Sequence, residues 1–65
     1  MAKRFEVIVQ PSNDYMVWDI NLKEPAMFGD RILDGMSEVE ASAACEIMNE
    51  VHRRQMQKRG VRQTL

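Results

Sequence analysis

The sequence predicts an α+β fold in which an antiparallel β-hairpin, with or without a short third strand, packs on one long C-terminal helix. Two short runs alternate apolar and polar residues, four turn formers separate the runs, and a helix-capping pattern opens the last third of the chain. Sixty-five residues form at most one domain. We assign that domain to residues 1–60 and expect residues 61–65 to be a frayed tail.

The first strand is predicted over Arg4–Gln10. Phe5, Val7 and Val9 alternate there with polar residues, which is typical of a strand with one buried face. The segment Pro11–Asp14 follows and consists entirely of residues that favour turns. These features indicate a hairpin with a four-residue connection.

The second strand is predicted over Tyr15–Leu22, with apolar residues on both of its faces. We expect the wholly apolar face to meet the helix; it carries Met16, Trp18, Ile20 and Leu22. Tyr15 and Val17 then fall on the outer face beside Ile8. An outward apolar patch of this kind suits contact with a partner, so Tyr15 and Val17 are candidate binding residues.

Residues 23–35 are irregular, because Pro25 and Gly29 interrupt any regular pattern. Within this stretch, residues 31–33 form either a short third strand or a loop, and the sequence leaves both open. The loop alternative places three apolar side chains in the core: Phe28, Ile32 and Leu33.

The helix begins at a capping box. The Ser37 hydroxyl and the Glu40 carboxylate are spaced to accept hydrogen bonds from each other's backbone amides. We expect a helix from residue 38 to about residue 58, followed by Gly60 as its C-terminal cap. An apolar stripe at helical spacing predicts the core contacts, which are Ala41, Ala44, Ile47, Met48 and Val51.

Charge is divided unevenly along the chain, although the net charge is only −1. Residues 1–51 contain ten acidic and four basic residues, a formal charge of −6. Residues 52–65 contain no acidic residue and five basic ones, which are Arg53, Arg54, Lys58, Arg59 and Arg62. This basic run is the main candidate binding segment, with three interpretations: a solvated helix end favoured by the helix dipole, a surface for an acidic protein, or a phosphate-binding surface.

Catalytic chemistry is not expected. Cys45 and His52 are seven residues apart, about 10 Å along one helix, which is too far for a nucleophile and its base. No spacing typical of a metal site, a phosphate loop or a cofactor site is present, so we predict neither metal nor cofactor. The single cysteine, the lack of an export signal and the lack of a membrane-spanning segment together predict a cytoplasmic protein.

Three segments carry a family resemblance: Tyr15–Asp19, Ser37–Ala41 and Cys45–Glu50. Together they resemble short accessory proteins encoded by phages, prophages and plasmids, in which a Tyr-x-Val-Trp-Asp strand precedes a Ser-x-x-Glu-Ala helix that ends near Asn-Glu. The resemblance covers residues 5–51. It implies a context in which small proteins often bind one host protein and inhibit or redirect it, and it carries no characterised activity over to this chain.

The sequence therefore predicts a small non-catalytic protein-binding module, such as a phage-type inhibitor or regulator of a host protein. A nucleic-acid-binding accessory protein that acts through the basic run is the first alternative. A structural homodimer is the second, because a chain of this length can bury only a small core of its own.

Overall fold

The computed structural model describes the backbone of residues 3–63 and the side chains of residues 3–57. Its elements are β1 (Phe5–Val9), β2 (Tyr15–Asp19), β3 (Glu24–Pro25), β4 (Met27–Phe28), β5 (Arg31–Ile32) and α1 (Glu38–Gln63). β1, β2 and β3 form one antiparallel sheet, and β4 pairs with β5 separately. The predicted α+β class, a hairpin packed on one long helix, is confirmed.

The β1–β2 hairpin closes where the turn formers predicted it. The Gln10 amide donates to the Asp14 carbonyl at 2.8 Å, and the Asn13 amide donates to the Gln10 carbonyl at 2.9 Å. Asn13 has a φ of 70°, a left-handed conformation that asparagine tolerates better than most residues. This turn sets a register in which Val7 lies opposite Val17.

β2 is the central strand, because the chain after it returns along the edge that faces away from β1. The Val17 amide donates to the Leu33 carbonyl at 2.9 Å, and the Val17 carbonyl accepts from the Ala26 amide at 2.8 Å. Tyr15 exchanges two further backbone hydrogen bonds with Met36. Both edges of β2 are therefore paired.

Residues 27–32 leave the sheet as a small projecting hairpin, made of β4 and β5. Gly29 has a φ of 67° at the first of its two turn positions, as a type II′ turn requires. Residues 31–32 thus form a strand, but they pair with β4 and do not extend the main hairpin. Of the three side chains assigned to the core by the loop alternative, only Leu33 is buried, whereas Phe28 and Ile32 are exposed.

The prediction of which face of β2 meets the helix is wrong. Val17 is 0% exposed and Asp19 is 4% exposed, and Tyr15 packs against the same core. Met16 and Trp18 lie half-buried on the opposite face. β2 also ends at Asp19 and not at residue 22, which leaves the last two side chains of the predicted core face, Ile20 and Leu22, exposed.

The register explains this outcome. Val17 lies opposite Val7, and Asp19 lies opposite Phe5, so all four side chains share the face on which the helix packs. The helix contributes small buried residues there, Ala41 and Cys45. Because these helix side chains are small, the space between the helix and the sheet holds a valine and is too small for a tryptophan. Since Val17 is fully buried, Tyr15 and Val17 do not form the outward patch that the sequence predicted.

The capping box is confirmed. The Ser37 amide donates to Glu40 Oε1 at 3.1 Å, and the Glu40 amide donates to Ser37 Oγ at 3.2 Å. The hydrogen bond from the Ser37 amide lowers the pKa of the Glu40 carboxyl. α1 then continues through Gly60 to Gln63, so its predicted end near residue 58 is wrong. Of the predicted frayed tail, residues 61–63 are helical, and residues 64–65 lie outside the described residues.

Only the first half of α1 packs on the sheet. Ala41 and Cys45 are buried, and Ala44 and Met48 pack against the core. Ile47 and Val51 were predicted core residues, and both are exposed. The helix has 26 residues, about 39 Å at 1.5 Å per residue. The described chain measures 49 × 21 × 20 Å, which shows that the second half of α1 projects beyond the sheet.

Candidate protein-binding surface

The described part of the basic run is partly neutralised on its own helix. The Glu50 carboxylate accepts a hydrogen bond from Arg54 Nε at 3.0 Å and another from Arg53. Pairs three and four residues apart face each other on a helix, and Glu50 makes one of each. The backbone of positions 58, 59 and 62 is helical, whereas the side chains of Lys58, Arg59 and Arg62 lie outside the described residues.

An apolar groove lies between the middle of α1 and the segment that follows β2. Its volume is about 370 Å³. One wall comes from the turn after β2, from β3 and from β4, and contains Leu22, Pro25, Met27 and Phe28. The other wall comes from α1 and contains Met48, Val51, His52 and Gln55. We call this feature the apolar groove.

Four large apolar side chains that line the apolar groove are exposed to solvent, although side chains of this type are usually buried. Phe28 is 65% exposed, Leu22 is 59% exposed, and both Met27 and Val51 are close to half exposed. Scattered apolar side chains are normal on a protein surface, but these four line one continuous depression. A contiguous exposed apolar patch commonly marks a binding surface.

Two residues that line the apolar groove, which we call its floor, form an ion pair: Asp19 is buried, and Arg4 is partly exposed. Arg4 donates from Nε to Asp19 Oδ1 at 3.2 Å and from Nη2 to Asp19 Oδ2 at 3.0 Å. Asp19 Oδ1 also accepts from the backbone amides of Asn21 and Leu22. Burial raises the pKa of Asp19, but the Arg4 guanidinium and the two amides outweigh burial and hold that pKa below its usual value. The same bonds fix the turn that presents Leu22 to the groove.

Asn49 fixes the position of the helical wall. Its Oδ1 accepts from the amide of Phe5 at 2.9 Å, and its Nδ2 donates to the Phe5 carbonyl at 3.0 Å. The side-chain amide thus bonds to the outer edge of β1 as a neighbouring strand would. Because Asn49 lies between Met48 and Val51 along α1, this contact also determines how far that wall stands from the sheet.

Two other surfaces are weaker candidates. A larger depression of about 640 Å³ lies beside Lys3 and Asn49, but charged side chains of both signs line it, including the Glu50–Arg53 pair. The outer face of the sheet carries Ile8, Met16 and Trp18. All three side chains are half-buried, and the register places Ile8 directly opposite Met16 and diagonal to Trp18.

Cys45 and His52 have different surroundings in the structure. Cys45 is buried, and burial raises the pKa of its thiol. His52 is half-buried in the wall of the apolar groove. Within residues 3–63, no three His, Cys, Asp or Glu side chains lie together in a way that could hold a metal ion. Over the same residues, α1 is too polar to cross a membrane.

Sequence reasoning missed most of the apolar groove. It placed Leu22 in the core, it placed Phe28 there only under the loop alternative, and it assigned Met27 to a loop. A usable signal was present: Gly29-Asp30 stands between two short apolar-containing runs, a spacing typical of a two-residue hairpin. A projecting hairpin at residues 27–32 would have moved Phe28 out of the core. Asn49 belongs to the Cys45–Glu50 segment of the family resemblance, but that resemblance did not indicate its hydrogen bonds to β1.

A scan against protein-family models, a search of curated proteins and a search of solved structures each found no match to the chain.

Proposed function

We propose that this chain is a non-catalytic protein-binding module that holds a partner in the apolar groove. The observation that carries the proposal is the clustering of Leu22, Phe28 and Val51, three large exposed apolar side chains, around one depression. Burying such side chains on binding is favourable by roughly 25 cal/mol per Å² of apolar surface, and aromatic anchors contribute most at interfaces.

The groove is also held in shape before any partner arrives. The Arg4–Asp19 pair fixes its floor, Asn49 fixes its helical wall, and the Leu33 amide closes the base of the β4–β5 hairpin by donating to the Ala26 carbonyl at 3.0 Å. A preorganised surface loses less conformational freedom on binding, which favours affinity. This arrangement supports binding over a purely structural role.

The resemblance to accessory proteins of phages, prophages and plasmids supports a specific form of this proposal. A module of this kind acts by occupying a surface of one host protein, as an inhibitor or a regulator.

Selection from a random peptide library on the immobilised full chain tests the proposal. We expect enrichment of peptides that contain apolar residues, because the groove is lined by apolar side chains. Leu22→Ser should weaken these peptides about tenfold, through the loss of one large buried apolar contact. Val9→Ser is the matched control, because Val9 is 58% exposed but lies at the opposite end of the sheet.

Two results would contradict the proposal. One is a selection that enriches no peptide above an empty surface. The other is a set of peptides whose affinity falls equally with Leu22→Ser and with Val9→Ser, since that would place binding outside the apolar groove. Circular dichroism of both variants checks that each retains the fold.

Nucleic-acid binding is the second candidate, and the basic run is the observation that favours it. Two of its five cations, Arg53 and Arg54, are already bonded to Glu50, and the rest of the chain has a formal charge of −6. We therefore expect no retention of a labelled DNA duplex at about 50 mM salt. Retention with a log affinity that falls linearly with log salt would favour the nucleic-acid function instead.

A further inference from the structure

We infer that the partner segment is amphipathic and acidic: its apolar side chains enter the apolar groove, and a cluster of Asp or Glu residues next to them lies along the end of α1. This inference rests on the proposed function and specifies the chemistry of the occupant. It follows from the way in which the groove continues along the helix.

Three cationic residues follow the helical wall of the groove along α1. Lys58, Arg59 and Arg62 stand seven, eight and eleven residues after Val51. With 3.6 residues per turn, these spacings place the three positions on the helix face that carries Val51. Because α1 extends to Gln63, that face continues beyond the sheet without a break in the helix. We call these three positions the cationic stripe.

The charges around the groove favour one orientation of the bound segment. The floor of the groove contains a charge-balanced pair, Arg4 and Asp19, and its outer wall contains one acidic residue, Glu24. No acidic residue follows Glu50 in the chain, whereas residues 1–51 have a formal charge of −6. The net charge of residues 1–51 therefore repels an acidic segment, and the net charge of the end of α1 attracts it. Complementary charge of this kind selects the partner and its orientation.

The experiment compares two triple variants that lose the same charge. One variant carries Lys58→Gln, Arg59→Gln and Arg62→Gln. The other carries Lys3→Gln, Lys23→Gln and Arg31→Gln, at cations that do not line the groove. The peptides enriched on the full wild-type chain are the probes. We expect them to contain acidic residues adjacent to apolar ones, and to bind the first variant about tenfold more weakly than the second.

Salt provides a second readout. Raising the salt from about 50 mM to about 500 mM should remove most of the difference between the two variants, because screening weakens attraction between exposed charges. Peptides without acidic residues, or equal affinities of the two variants at low salt, would overturn the inference. In either case, weaker binding of the enriched peptides to Leu22→Ser than to the wild type would support the proposed function and exclude only the acidic partner.

A second copy of the chain is the other occupant that this test must exclude. Sedimentation of the wild-type chain at the assay concentration should show a monomer. A dimer that dissociates with Leu22→Ser would show that a second copy fills the apolar groove, and it would overturn the inference of an acidic partner segment.

Discussion

Asp19 connects the end of β2 to the turn that follows and to Arg4 at the start of β1. Its carboxylate accepts two hydrogen bonds from the guanidinium and two from backbone amides, and the residue is almost fully buried. The sequence placed this carboxylate on an outward face. What the sequence could not show is that Asp19 lies opposite Phe5, since that register depends on the turn at residues 10–14.

Asp19→Ala should destabilise the fold by about 2 kcal/mol, because it leaves the Arg4 guanidinium and two amides without their acceptor. Arg4 is partly exposed, which keeps the cost below that of a fully buried pair. Urea unfolding followed by circular dichroism measures the change. Asp34→Ala, at an exposed carboxylate, is the control and should have little effect. An equal loss in the two variants would contradict this account.

The same carboxylate predicts a dependence of stability on pH. The pKa of Asp19 in the folded chain is below its value in the unfolded chain, which is about 3.9. Its contribution to stability is therefore complete above about pH 4 and is lost as the pH falls through the folded-state pKa. Urea midpoints measured from pH 6 down to pH 2 should fall less steeply for Asp19→Asn than for the wild type. Parallel curves would exclude this role for Asp19.

Cys45 is a packing residue in this structure. Burial raises the pKa of its thiol, and its sulfur accepts a 3.5 Å hydrogen bond from Asn49 Nδ2. We expect the folded chain to react slowly with a thiol reagent at pH 8 and the urea-unfolded chain to react rapidly, because the thiolate is the reactive species. Rapid reaction of the folded chain would indicate an accessible, activated cysteine and would reopen the question of catalysis.

The two faces of β2 show where sequence reasoning succeeds and where it stops. The alternation predicted a strand, the turn formers predicted a hairpin, and the capping box predicted where α1 begins, because each is a local feature. The face that meets the helix depends on a partner strand and on the size of the helix residues above it. Both faces of β2 carry apolar side chains, so the alternation could not decide between Val17 and Trp18.

Substitutions on the two faces of β2 should differ in their effect on stability. Val17→Ala removes two methyl groups from a fully buried site and should cost about 2 kcal/mol. Met16→Ala removes a larger side chain from the half-buried outer face and should cost about 1 kcal/mol. The free energy of unfolding in urea measures both. The opposite order would mean that the outer face is the core, as the sequence alone predicted.

The molecule has two parts: a packed core of strands and the first half of α1, and a projecting second half of α1. The described core consists of six buried apolar residues, two of which, Ala41 and Cys45, lie on the first half of α1. The second half of the helix extends past the sheet. The charge division in the sequence indicated that the two halves differ. The groove itself depends on contacts among β1, the turn after β2 and Asn49 of α1, which no local pattern predicts.

The position of the bound partner tests the central claim most directly. In a titration of the ¹⁵N-labelled full chain with an enriched peptide, we predict that the largest amide shifts fall in residues 22–28 and 48–55, the two walls of the apolar groove. Shifts concentrated instead at Ile8, Met16 and Trp18 would place the partner on the outer face of the sheet and would contradict the account.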